Sequence, residues 1–289
     1  MTPLFQIWGS RGGRNARGSK IGNSTSCYSL AFGAELFVFD AGHGLGALAD
    51  AVRADSRLRE VRRIHVLVSH AHMDHWEGLK DAEWLWRPGN GLELSVLGPK
   101  ETLDAIHRAH EPPSFVPLEV LALGTVDKLA FTELKSGDTI ALPGATLEAI
   151  ALNHYSGIAP HEHHVDALGY QLTLGGGPVV AYLSDHQPTT ATRAMEDRVL
   201  ASSQLVVLDA NYADVAEQAF GHGSVEHAAM LARRHGHARV LAAHHGPMIT
   251  DTDIEDAHRR HGQGCANLAI AIEGRDEVWD AQASAFKHA

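Results

Sequence analysis

The chain has 289 residues, 44% of them hydrophobic and 20% charged, a length that supports one large or two modest domains and a balance that excludes a disordered or fibrous chain. Its formal net charge of −11 opposes nonspecific attraction to nucleic-acid phosphates and anionic membranes. The two cysteines, Cys27 and Cys265, exclude a disulfide scaffold or a cysteine-held metal, so any metal must be held by carboxylates and by some of the 21 histidines, the outlier of the composition.

The opening "MTPLFQIWGSRGGR" lacks a basic segment followed by an apolar core and a cleavage site, and no run has membrane-spanning length, so a soluble, cytoplasmic protein is expected. Arg11, Arg14, Arg17 and Lys20 form the one basic cluster, which reads as a solvated flexible loop. Short apolar runs bounded by Gly, Asp or His predict strands at 4–8, 35–40, 64–70, 92–98, 146–154, 169–174, 179–185, 205–210 and 239–245. Helical patterns fall at 44–54, 100–110, 189–202 and 224–236, the last with Ser224 as its N-cap. Hairpin-like pairs early and late, combined with strand–helix alternation, predict an α/β chain of two sheets covered by helices. No linker is visible, so residues 1–289 are read as one domain, with the turn-rich segment 111–145 as an excursion from the core.

Five of the predicted strands end in a potential ligand: Asp40, His70, His154, Asp185 and the pair His244–His245. Strand carboxyl ends line up along one sheet edge, where their side chains can converge on one point. The stretch "LVSHAHMDHWEGL" (67–79) crowds four such residues together. His70 and His72, two apart, face the same way and can hold one metal, while Asp74 and His75 lie past the bend and can hold a second. Zinc and similar ions take imidazole nitrogens and carboxylate oxygens at about 2.0–2.2 Å. Two ions about 3.5–4 Å apart can share a bridging hydroxide.

His70-Ala-His72-Met-Asp74-His75, followed by Gly78, resembles the H-x-H-x-D-H signature of the metallo-β-lactamase superfamily. The resemblance implies an αββα sandwich of two mixed β-sheets flanked by helices, with two metals at one edge. It implies that His70, His72 and His154 hold one ion, that Asp74 and His75 hold the other, and that Asp185 bridges them. The last ligand is implied to be His244, with its neighbour His245 as the alternative, and Asp40 to be a buried group that orients a ligand.

"IWGSRGG", "GNSTSCYSL", "LFVFDAGHGLGAL" and "ALGYQL" resemble the branch that includes the transfer-RNA 3′-end processing nuclease and the phosphonate-pathway cyclic phosphodiesterase. "FGHGSVEHAAMLARRHGHARVLAAHHGP" (220–247) resembles that branch's H-S-T loop, helix and final strand, although Gly223-Ser224 follows His222 where Ser-Thr is usual. After His154 the loop is longer than the family's and carries His161, His163 and His164, read as a mobile cover able to select substrates. Trp76, Trp84 and Trp86 are read either as an apolar wall for a substrate or as core packing.

The expected function is a dinuclear metal hydrolase, a phosphodiesterase on small or cyclic phosphodiesters that uses a metal-bridging hydroxide. Asp74 and His222 are its catalytic candidates, His222 as general acid or phosphate contact. Two divalent ions are expected, zinc first, with manganese or iron as alternatives. The expected partner is a small-molecule substrate, with no membrane and with a homodimer left open. The negative charge and the lack of an evident RNA-gripping arm argue against nucleic acid. Two alternatives stand beside this reading: a lactonase or β-lactamase on the same metals, and a metal-binding protein without catalysis.

Overall fold

The computed structural model describes residues 2–13, 18–82, 91–123, 127–157 and 161–289; Arg14, Arg17, Trp84 and Trp86 lie outside them. In strand β3 (Glu35–Phe39), Leu36 and Val38 face one side while Phe37 and Phe39 face the other, and all four are buried. A strand covered on both faces needs no polar alternation and reads as the continuous apolar run that marks it in the sequence.

The same two-sided burial recurs through two sheets. The first, of eight strands, runs β17 (Ala285–His288), β16 (Asp276–Asp280), β1 (Leu4–Gly9), β2 (Cys27–Phe32), β3, β4 (Arg63–Leu67), β5 (Glu93–Gly98) and β6 (Lys128–Glu133). The second, of seven, runs β15 (Leu268–Ile270), β14 (Arg239–Ala243), β13 (Leu205–Asp209), β12 (Val179–Leu183), β11 (Leu168–Leu174), β8 (Ala145–Ala151) and β7 (Thr139–Leu142). Both are mixed: β3 to β6 and β12 to β15 pair in parallel, the rest antiparallel.

Three apolar layers hold the sandwich together. Phe5, Tyr28, Phe37 and Phe39 of the first sheet meet Leu147, Tyr170, Leu172 and Tyr182 of the second in the middle. Outside the first sheet, Leu36, Val38 and Ile64 pack with Leu45 and Leu48 of α1 (Gly44–Ala54) and Leu103 and Ile106 of α2 (Lys100–Ala109). Outside the second, Leu183, Val206 and Val240 pack with residues of α4 (Arg193–Ser202), α5 (Val225–Arg234) and α6 (Asp251–His261). The architecture is the αββα sandwich.

Two sequence expectations are corrected here. Segment 111–145 is no excursion: it carries α3 (Leu118–Ala122) and then β6 and β7, the edge strands of the two sheets. Arg11 is not solvated: its fully buried guanidinium donates to the carbonyls of Gly22 and Ile249, to Ser19 Oγ and to Asp251 Oδ1. A run of arginines says nothing about which one the chain folds over; here Asp251, from distant α6, supplies the charge that lets Arg11 be buried. Trp76 is packed in the outer apolar layer of the first sheet, its indole N–H donating to the Ala71 carbonyl. Among the described residues no helix is long and apolar enough to cross a membrane.

Candidate metal centre

β12, β13 and β14 run in parallel, and β8, antiparallel to β11 as β12 is, shares their direction. Their carboxyl ends deliver His154, Asp185, Asp209 and His244 to one edge, where the first sheet delivers Asp40 and His70 from the ends of parallel β3 and β4. At two of these ends the chain turns through the left-handed region at residues other than glycine, Asp40 (φ 57°) and His244 (φ 55°). Such strain persists only where the surroundings over-determine it, and here those surroundings are the site itself.

Two groups of ligand atoms fall on the expected ligands, and a third, Asp185, Asp209, His222 and His244, overlaps them. His70, His72, His154 and Asp185 offer atoms all within 4.8 Å of one another, and so do Asp74, His75 and His244. Asp185 joins the halves. Its Oδ2 lies 3.6 Å from both His70 Nε2 and His154 Nε2, while its Oδ1 lies 3.3 Å from His75 Nε2 and 3.0 Å from His244 Nε2. Asp74, on the short helical turn Met73–His75, approaches His75 Nε2 at 3.4 Å and His244 Nε2 at 3.7 Å.

Each imidazole is oriented by its far nitrogen. His154 Nδ1 donates to the Gly221 carbonyl at 2.9 Å, which leaves its Nε2 as a lone pair toward the centre. His75 Nδ1 donates to Asp40 Oδ2 at 2.6 Å, and the same carboxylate takes the Tyr182 hydroxyl at 2.6 Å and the Ser69 N–H at 2.7 Å. His70 Nδ1 meets Ser69 Oγ at 3.0 Å, and Ser156 Oγ holds His72 Nε2, turning His72 Nδ1 inward. Gly12 must be glycine here, because a Cβ on it would stand 2.6 Å from His244 Cε1.

This donor set fits a cation. The Nε2 atoms of His70, His75 and His244 are buried without a hydrogen-bond partner, an arrangement that costs free energy unless something electrophilic meets them. His154 Nε2 and His72 Nδ1 face each other at 3.1 Å, and burial holds the His154 pKa down to about 4, so both are lone-pair nitrogens. On the other half burial alone would depress His244, yet Asp185, Asp74 and Asp209 overcome it and raise it to about 10. Asp185 and Asp74, together with Asp40, do the same to His75, so these carboxylates call for positive charge.

His245, the alternative final ligand, points away. It is fully buried with Nδ1 against the Ala210 carbonyl at 3.1 Å and belongs to neither group. His161, His163 and His164 are exposed and outside both groups; His163–His164 (β10) pairs with Tyr155–Ser156 (β9) in a short hairpin in place of the expected loose loop.

His222 reaches the centre from the turn before α5. Its side chain is 14% exposed, its ring centroid lies 5.0 Å from those of both His154 and His244, and Nδ1 donates to Asp209 Oδ2 at 2.8 Å. Asp209 was missed in the sequence although it ends β13 as Asp185 follows β12. The signal was there in "LVVLDA", a sixth strand with a potential ligand, here a carboxylate, at its carboxyl end. Ser224 caps α5 as expected, accepting from the His227 N–H at 3.2 Å, and this fixes the turn that presents His222.

Residues 36–245 match the family model described as the beta-lactamase superfamily domain. No curated protein matches the sequence. Among solved structures the fold is similar to a diphosphatase from the PhnP family (16% identity, 95% of this chain and 96% of that one, TM-score 0.62). It is similar to the short form of human tRNase Z (14% identity, 94% and 98%, TM-score 0.64). Zn(2+)-bound PqqB from Methylobacterium extorquens is a third such structure (15% identity, 94% and 99%, TM-score 0.64).

Proposed function

The chain belongs to the beta-lactamase superfamily and carries its hydrolase fold, and from that premise we propose that it is a phosphodiesterase working with two divalent ions on a small or cyclic phosphodiester. His70, His72 and His154 would hold one ion, Asp74, His75 and His244 the other, with one oxygen of Asp185 toward each. Ions held there would activate water and neutralise charge on the phosphoryl oxygens.

The observation that carries the phosphodiester reading is the Asp209–His222 pair. Asp209 takes the Nδ1 proton, fixing the tautomer, and leaves Nε2 to face a substrate lying over both halves. A departing alkoxide needs a proton, and an imidazolium Nε2–H can give one. Asp74, whose side chain is 29% exposed, is the carboxylate open enough to accept a proton from the attacking water. A diphosphatase and a tRNase share the fold, which supports the reading.

The test uses bis-p-nitrophenyl phosphate beside an alkyl phosphodiester, a lactone and a β-lactam. His222→Ala is expected to cut kcat on the alkyl diester by about 10²–10⁴ and much less on the nitrophenyl ester, whose leaving group needs no proton. Metal content should stay at two ions per chain. Faster turnover of the lactone or the β-lactam than of any phosphodiester would replace this reading with carbonyl hydrolysis.

A further inference from the structure

Behind the strand ends lies a polar group that the proposed reaction does not use: His186, Glu196 and His227. Glu196 is 1% exposed, on α4 beside the apolar layer of Val199, Leu200, Leu208 and Leu231. A carboxylate survives there only when its oxygens are hydrogen-bonded. Oε1 accepts from His186 Nε2 at 2.9 Å and from Thr192 Oγ1 at 3.1 Å, and Oε2 lies 3.2 Å from His227 Nε2.

The tautomer of His186 follows from its neighbours. Its Nδ1 accepts the backbone N–H of Asn153 at 3.0 Å, so the ring proton sits on Nε2 and is donated to Glu196. The backbone N–H of His186 donates to Asp209 Oδ2 at 3.0 Å, the same oxygen that takes His222 Nδ1–H. One residue thereby clasps three strand ends: Asn153 before His154, its own place after Asp185, and Asp209. Its ring is held from behind by Glu196.

We propose that Glu196 is a positioning residue which, through His186, sets the place of the Asp209 oxygen that orients His222. It touches neither substrate nor any residue of the two ligand groups. The proposal rests on the reading of His222 as proton donor. His227 supplies the internal comparison, since it bonds Glu196 with no link of its own to His186 or Asp209.

The experiment compares Glu196→Leu, Glu196→Gln and His227→Leu in the zinc-loaded protein. Readouts are kcat, KM and the ¹H–¹⁵N resonance of His222 Nδ1–H. Glu196→Leu is expected to lower kcat by about 10- to 100-fold with KM held within about twofold, and to shift or abolish the His222 resonance. Glu196→Gln keeps an acceptor oxygen for His186 and should restore both, and His227→Leu should leave both as in the parent. If Glu196→Leu does not fold, His186→Asn carries the test with the same expected loss, because its Oδ1 can still accept from Asn153 but it cannot reach Glu196. An unmoved His222 resonance in Glu196→Leu, or equal losses in Glu196→Leu and His227→Leu, would overturn the proposal. A parent protein inactive on phosphodiesters would count against the functional reading alone, since the resonance tests the linkage without substrate.

Discussion

Single side chains divide into those whose place the sequence announces and those placed by distant partners. His70, His72, Asp74 and His75 crowd into one turn, and that turn supplies members of both ligand groups. Asp209 was missed and Arg11 misread because their surroundings come from far along the chain: Asp209 from its contacts with His186 and His222, Arg11 from Asp251. Asp74→Ala should cost one ion of two by metal analysis, since the other half keeps three imidazoles and Asp185; retention of both would break the assignment. Glu196 gives a pH dependence. Burial would raise its pKa, but hydrogen bonds from His186 and His227 bring it from 4.5 down to about 2. A carboxyl depressed on folding stabilises the protein above its unfolded value, and this contribution disappears as pH falls through the folded one. Glu196→Gln should therefore flatten the loss of stability between pH 4.5 and about 2 in denaturant melts.

Elements were legible in proportion to their apolar content. α1 spans 44–54 as its pattern predicts, and every expected strand forms with its ends shifted by up to three residues. α6 escaped notice because it buries only Ile254 and Ala257, too sparse a stripe for periodicity, although Thr250 and Asp253 form a capping box at its start. β6 and β7 escaped because edge strands are half exposed and their sequences are diluted with Lys, Thr and Glu. α5 was legible from its cap. Ser224 Oγ also accepts from Gln218 Nε2 at 3.0 Å, so it anchors both sides of the His222 turn. Ser224→Ala should cost about 1 kcal/mol, read as a lowered denaturation midpoint. Turnover should fall more than that destabilisation alone predicts, because the turn loses its anchor.

Across the whole molecule, the two sheets meet chemically as well as by packing: Tyr182 of the second sheet, in the middle apolar layer, donates to Asp40 of the first, and Asp40 holds His75. Ions seated among ligands from both sheets bind the folded state alone, so chelation should lower Tm, by the equivalent of about 2.7 kcal/mol for an ion present at 100 times its Kd. A scan with and without chelator measures it; an unchanged Tm would argue against a metal spanning the sheets. The fold class was legible because strand–helix alternation and two-sided burial leave the same trace in any α/β sandwich. The pairing of β1 with β16 left no such trace, since nothing local links Leu4 to Val278. That pairing also orders events in time. On the ribosome β1 emerges well before β16 and, paired with β2 alone, must keep its other edge bare until the segment between them has been made. Closure of so long a loop makes the C-terminal hairpin a late and slow step of folding. The nascent protein is thus exposed to strand-edge aggregation until β16 and β17 are made.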